Sequence, residues 1–284
     1  MGWDRFSGQL NYSFNMTQER KQKEIEYYDY YAERMLKSFP EEGKRVGDFE
    51  GFKPLILDSF KFCYKLLEEN CFGKRLLDYG CGNGIHSIFP AKNGAEVVGI
   101  DLSEMSLEVA KERAGQAGLK ERIKFLKMDC ETMKFSDNFF DIVFDGGTFS
   151  SLDLNKAFPE ISRVLRPEGF LIGIETLGHN PLTNLKRRIN RIFKKRTEWA
   201  ATHILKLEDF KLAERYFEKI EVYYFHLVSW IAFPFLGLPG SQILLKLLEA
   251  VDDILLRFSP LRRYAFKVVF MLSNPKKPDA EKSV

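Results

Sequence analysis

Histidine and cysteine are scarce in this chain, and what they fail to form narrows its chemistry first. Four histidines (His86, His179, His203, His226) and four cysteines (Cys63, Cys71, Cys81, Cys130) occur in 284 residues. The cysteines show no paired metal spacing, so no metal is expected. Their scatter suits a reducing compartment better than a disulfide framework. The opening residues, MGWDRFSGQLNYSF, hold no apolar stretch of signal-peptide length, so a cytoplasmic location is expected. Internal repeats and low-complexity tracts are absent. Excess charge is small: a net +3 names no partner. An unbroken apolar run is missing too. Phe225 to Leu245 contains no Asp, Glu, Lys or Arg and is long enough to span a membrane. Pro234, Gly237, Pro239 and Gly240 interrupt it, so a hydrophobic lid is expected, with peripheral membrane contact as the alternative.

What is present is ample core material. Hydrophobic residues make up 45% of the chain and phenylalanine occurs 26 times, enough for one large, well-filled domain. From residue 75 onward strand and helix patterns alternate. RLLDYG, AEVVGIDLS, RIKFLKMDC, FFDIVFDGG, FLIGIET (170–176), KIEVYYFHLVSW (219–230) and YAFKVVFML read as seven strands. IHSIFPAKNG, EMSLEVAKERAGQAG, NKAFPEISRVLRPEG and LEDFKLAERYF read as helices between them. This order predicts an α/β, Rossmann-like, mostly parallel seven-stranded sheet with helices on both faces. Residues 1–70, rich in helix formers and tyrosines, are expected to form an α-helical lid segment ahead of a domain at 71–284. Further lid insertions are expected near 176–206 and 231–262. The polar tail NPKKPDAEKSV is expected to fray.

The segment LLDYGCGNGIHS carries the main functional signal. Gly80, Gly82 and Gly84 follow the first strand, where glycine lets backbone approach a ligand and exposes amide groups at a helix start. The second strand ends in Asp101, where a carboxylate can accept hydrogen bonds from both hydroxyls of a ribose. The spacing is not G-x-G-x-x-G, because Ile85 stands where the third glycine would fall. Asp78, two residues before the first glycine, suits a cofactor that carries a positive group and no pyrophosphate.

LLDYGCGNG with VVGIDLSEMSLEVA resembles the class I S-adenosylmethionine-dependent methyltransferases. FLKMDCETMKFSDNFFDIVFDGG and AFPEISRVLRPEGFLIGIET are similar to their later motifs, in the same order, from Lys74 to Glu175. The resemblance implies S-adenosyl-L-methionine as cofactor and S-adenosyl-L-homocysteine as product. It implies that Asp78, Gly80, Cys81, Gly82 and Gly84 line the amino-acid end and that Asp101 holds the ribose. Leu102 would pack on the adenine, Asp129 with Cys130 would reach its amine, and Asp145 with Gly146 would lie near the methionine part. Tyr28 is expected to close over the cofactor, where an aromatic face attracts a sulfonium. Two departures bear on the acceptor. GGTFSSLD lacks the histidine element that many small-molecule members carry after the fourth strand, and no Asn/Asp-Pro-Pro-Tyr motif is present.

A hydroxyl acceptor calls for a general base. His179, in the loop after the fifth strand, is the expected base and His203 the second candidate. Glu175, Asn180 and Arg196 are expected to orient or bind. His86 reads as a packing or capping residue and His226 as core. LTNLKRRINRIFKKR reads as a basic amphipathic helix. With the uncharged Phe225–Leu245 segment it favours a small or partly apolar, lipid-like or aromatic acceptor, methylated on oxygen. Two rivals are an RNA methyltransferase, which the missing RNA module disfavours, and a non-catalytic cofactor-binding partner protein. Oligomeric state is open.

Overall fold

Short apolar strands buried on both faces need helices above and below them. In the computed structural model, which describes residues 3–37, 52–181, 183–185, 188 and 197–277, seven strands form one mixed sheet. They are β1 (Arg75–Tyr79), β2 (Glu96–Asp101), β3 (Ile123–Lys127), β4 (Phe140–Asp145), β5 (Leu165–Thr176), β6 (Phe217–Phe225) and β7 (Lys267–Pro275). Their order is β3-β2-β1-β4-β5-β7-β6, and β7 runs antiparallel to both of its neighbours. β1 to β5 are parallel, so the expected α/β class holds. Strand order reverses beside β1, between its β2 and β4 sides, which is where such sheets bind ligands.

Successive residues of a strand point to opposite faces, and the register sorts the core accordingly. Leu76, Val97, Ile142 and Ile172 belong to one buried cluster with Phe60, Cys63 and Leu67 of α2 (Asp58–Asn70). Leu77, Val143 and Leu171 belong to the other with Phe158 and Ile161 of the helix Leu154–Val164. The helices in chain order are α1 (Trp3–Lys37), α2, α3 (Ile85–Lys92), α4 (Glu104–Gln116), α5 (Leu154–Val164), α6 (Glu198–Thr202), α7 (Leu207–Ala213), α8 (Ser241–Leu255) and α9 (Ser259–Arg262). Ser103 caps α4 by accepting from the Ser106 N–H at 3.0 Å.

Four boundaries differ from the sequence reading. α5 stops at Val164, and β5 begins at once; its pairing with β4 jumps from Phe140↔Leu165 to Ile142↔Phe170, so Arg166–Gly169 bulge out of register. β6 ends at Phe225 because His226 adopts a left-handed φ of +63°, and Ser229–Phe235 winds into a 3-10 turn instead of continuing the strand. α2, placed with the lid at 1–70, packs its apolar face into the sheet core. The segment 231–262 does not gather over the strand ends near β1. Ala232 and Leu245 share a cluster with Leu57 and Phe60, and Glu249 accepts from the Asp58 N–H at 3.2 Å. Asp252 accepts from the N–H groups of Val228 and Ser229 at 2.7 and 3.2 Å.

Gly173 shows how tightly the β5–β7 contact is built: a Cβ there would sit 2.5 Å from Phe270 Cε2. Gly173→Ala should therefore destabilise the protein by about 1–3 kcal/mol, the cost of overpacking a closed core. Guanidinium unfolding would read this as a lower midpoint at unchanged slope; an unchanged midpoint would mean that the Phe270 ring swings freely aside.

Candidate active site

The chain leaves β1 through a turn that only glycine adopts without strain. Gly80, Gly82 and Gly84 have φ of +68°, +48° and +72°. A Cβ at Gly80 would lie 2.6 Å from Thr148 Oγ1, and one at Gly84 would lie 2.7 Å from the Ala110 Cβ. At Gly82 it would meet nothing within 4 Å. Two of the glycines thus make room for the protein's own packing, and the middle one opens onto a cleft of about 320 Å³.

Tyr28, Gly80, Cys81, Gly82, Asp101, Leu102, Asp129, Cys130 and Gly146 line this cleft, as the sequence reading expects. Asp101 accepts from the Gly82 N–H through Oδ2 and from the Ser103 N–H through Oδ1, both at 2.9 Å. Each oxygen keeps a lone pair for a ligand hydroxyl. Burial pushes its carboxyl above the ordinary range. Cys81 and Cys130 are buried thiols, pushed up by burial and held protonated.

Asp78 and Gly84, expected at the amino-acid end of the cofactor, and Asp145, expected near its methionine part, do not themselves line the cleft; both aspartates are buried. Asp78 accepts from the Ser87 hydroxyl at 2.5 Å. Burial, with the charge of Asp101 adding, pushes its pKa up to about 7. Asp145 accepts from the Thr148 N–H at 2.9 Å, and its buried Oδ2 has no partner among the described residues. Burial and the neighbouring Glu175 hold it well above the carboxylate range.

The second wall is α1, which the sequence reading represents by Tyr28 alone. Lys21, Ile25, Tyr28, Ala32 and Met35 all face the cleft. Their spacing of four and three residues is a single helical stripe, a signal present in the sequence. The helix is tied down at both ends of that stripe. Lys21 Nζ lies 2.5 Å from Asp129 Oδ2 and 2.9 Å from Glu131 Oε2, and Arg20 lies 2.5 Å from Glu131 Oε1. Burial opposes ionisation of Glu131, but the Asp153 N–H, Lys21 and Arg20 hold it below the usual range. Further along, Asp29 accepts from the Ser103 hydroxyl at 2.6 Å.

The histidines fall in different places from those expected of a base. His86, read as packing, is packed and is also the histidine on the cleft among the described residues. Its Nδ1 lies 2.5 Å from the Tyr64 hydroxyl, and its ring is surrounded by Phe52, Phe60 and Phe144. A Cβ at Gly146 would lie 3.1 Å from His86 Nε2, so that edge of the ring faces the end of β4. Burial, then the charges of Lys267 and Arg113, push its pKa down to about 4.

His179 does not line the cleft. Its Nε2 accepts from the Leu207 N–H at 3.1 Å, at the start of α7, with Glu208 3.2 Å away. His203 stacks on Trp199 at 3.5 Å and lines a second cavity of about 350 Å³, which shares Arg20 and Glu24 with the cleft. Glu175 accepts from the Phe149 N–H at 2.7 Å and positions the loop after β4 rather than a ligand. Asn180 donates to the Tyr264 carbonyl at 2.8 Å and ties two loops together. Arg196 and most of the basic segment 182–196 lie outside the described residues. His226 is buried between the hydroxyls of Ser229 and Ser59. Among the described residues no cluster of three or more His, Cys, Asp or Glu is placed to hold a metal ion.

The cleft fits S-adenosylmethionine: it has an open glycine at the loop, a carboxylate with free lone pairs at the end of β2, and uncompensated buried carboxylates beneath. Comparison with known proteins agrees. Residues 77–173 match the family described as a methyltransferase domain. The ubiquinone biosynthesis O-methyltransferase of Vibrio campbellii (strain ATCC BAA-1116) is 43% identical over 88 residues, 30% of this chain and 37% of that protein. The sterol 4-C-methyltransferase strm-1 of Caenorhabditis elegans is 31% identical over 105 residues, 37% of this chain and 31% of that protein. The chain thus spans about a third of the length of the curated relatives it matches. A solved geranyl diphosphate C-methyltransferase from Streptomyces coelicolor A3(2) shares the fold, with a TM-score of 0.53 at 17% identity over 75% of this chain and 79% of that one.

The raised Asp78 makes a signed prediction. A carboxyl with a folded pKa near 7 and an unfolded value near 4 holds a proton between those limits only when folded. Its penalty on stability is therefore absent at acid pH and fully present above pH 7. Relative to wild type, Asp78→Asn should gain on the order of 2–4 kcal/mol between pH 4.5 and pH 8. Chemical unfolding of both proteins across that range measures the difference; parallel curves would mean Asp78 ionises freely.

Proposed function

We propose that this chain, whose residues 77–173 are a methyltransferase domain of the class I, S-adenosylmethionine-dependent kind, methylates an oxygen of a small, partly apolar acceptor with His86 taking the proton. The observation that carries this reading is the meeting of Gly82, Asp101 and His86 around one cleft at the carboxyl edge of β1, β2 and β4. Bound S-adenosylmethionine would supply a methyl group on a cationic sulfonium.

Each protein group has a part that follows from its surroundings. Asp101 would accept hydrogen bonds from the ribose hydroxyls, and Leu102 would pack on the adenine. Asp129 stands where the adenine amine is expected, already paired to Lys21. Asp78 and Asp145 give the floor beneath the loop a negative field once ionised, which favours a cation above it. Tyr28 offers a ring face to the same charge.

His86 is neutral at physiological pH because burial disfavours its charged form. With Nδ1–H donating to the Tyr64 oxygen, Nε2 is left as an acceptor facing Gly146. A base this weak suffices, since an alkylated hydroxyl oxygen is a far stronger acid than imidazolium. The cleft's own apolar lining, with Ile25, Met35, Ile85 and Leu152, suits an apolar acceptor. The names of the matched relatives, for ubiquinone and sterol methylation, support the same class. His179, engaged with Leu207, is not assigned a chemical role in this reading.

Two measurements test the proposal separately. Calorimetric titration with S-adenosylhomocysteine should show binding that Asp101→Ala weakens by at least about tenfold, the cost of losing charged hydrogen bonds. Absence of binding by the wild type would sink the cofactor assignment. In turnover assays on a panel of phenols and hydroxylated lipids, His86→Ala should lower kcat by about 10²–10⁴-fold with cofactor affinity unchanged. Full turnover in that variant, with loss in His179→Ala, would return the base to His179.

A further inference from the structure

The amphipathic pattern of α8 is turned outward. Taking about 100° per residue, Ile243, Leu247, Val251 and Ile254 fall in one stripe, and Phe258 continues it beyond the helix end. This stripe is the exposed face: Ile243, Leu247, Ile254 and Phe258 are each 59–67% exposed. The acids Glu249 and Asp252 face inward, where they receive the backbone N–H groups of Asp58, Val228 and Ser229. Solvent therefore meets side chains of core type, while Glu249 and Asp252, together with Leu245 and Leu248, hold the helix to the body of the protein. The adjoining loop adds Phe235 and Leu238, also exposed, beside Pro239 and Gly240. Exposed apolar side chains grouped along one helix face in this way mark a docking site.

The charges around the stripe name the occupant. Lys246 and Arg257 flank it on one side with Asp253 between them, and Arg263 follows; all four are exposed. With Glu249 and Asp252 turned inward, the outer surface of this segment is net basic. An apolar stripe with Lys246 on its flank and with Arg257 and Arg263 just past the end of a 15-residue helix suits the interface of an anionic bilayer. Among the described residues no helix is long and apolar enough to cross a membrane. The contact would be peripheral. We propose that the α8 face, from Phe235 to Phe258, docks the protein on an anionic membrane surface. This goes beyond the methyl-transfer reading and does not depend on it, since none of these residues lines the cleft.

The full-length chain would be tested for co-flotation with vesicles of phosphatidylcholine alone and of phosphatidylcholine with 30% phosphatidylglycerol. Binding is expected to the anionic vesicles and to weaken with salt. Leu247→Glu with Ile254→Glu should reduce it by about tenfold or more. Lys246→Glu with Arg257→Glu should abolish the preference for anionic lipid. All of these positions are exposed, so unfolding midpoints and S-adenosylhomocysteine binding should stay as in wild type. No flotation with either vesicle would overturn the proposal, as would flotation indifferent to the Leu247/Ile254 change. Concentration-dependent dimerisation in sedimentation velocity, lost in the Leu247/Ile254 variant and unaccompanied by vesicle binding, would assign the face to a second copy of the chain instead.

Discussion

The carboxyl edge of the sheet is organised by a steric constraint: the chain must pass from β1 into α3 through three left-handed residues in five positions. The tight path lets Thr148, from the loop after β4, close against Gly80, and lets Ala110 of α4 close against Gly84. It also aims the Gly82 N–H at Asp101. The loop thereby joins the ends of β1, β2 and β4 into one wall. The cleft exists because that wall is rigid on its protein side and open on the other.

Electrostatics add a second layer. Asp78, Asp101 and Asp145 crowd under and along this wall, and burial raises all three. Carboxyls kept so poorly solvated cost stability once they ionise. The opposite solution appears a few ångströms of chain away, where Glu131 and Asp129 are neutralised by Arg20 and Lys21 of α1. One set of carboxyls has no cation beside it among these contacts, and the other fastens the helix that covers the cleft.

How far the sequence could be read follows from the range of each contact. The glycine loop, Asp101 and the strand–helix alternation are local patterns, and they locate one wall of the cleft. The α1 wall depends on pairings such as Lys21 with Asp129, which no local rule supplies, although the stripe from Lys21 to Met35 is visible in hindsight. His86 is packed, as its place at a helix start suggests, but its place on the cleft was not legible: Gly146 and Tyr64 are brought beside it by β4 and α2. The position of His179 was hidden for the converse reason: a loop after β5 ordinarily faces the ligand, but this one is fastened to the start of α7 through Leu207. The uncharged stretch Phe225–Leu245 was legible, but the outward stripe of α8 was not: most of it lies beyond that stretch, and the acids Glu249 and Asp252 turn inward.

The position of β7 has a consequence for the order in which the protein can be made. β6 pairs only with β7, and β7 lies between β5 and β6. While the chain emerges from the ribosome, β1 to β5 can assemble as soon as Thr176 is clear. β6 then waits without a sheet partner for some forty further residues, the stretch that carries the exposed apolar surface of α8. Until Pro275 is free, β5 presents an open edge and β6 an unpaired one. The nascent chain therefore passes through a stage in which its most adhesive surfaces are shown together, the stage at which chaperones would be expected to meet it.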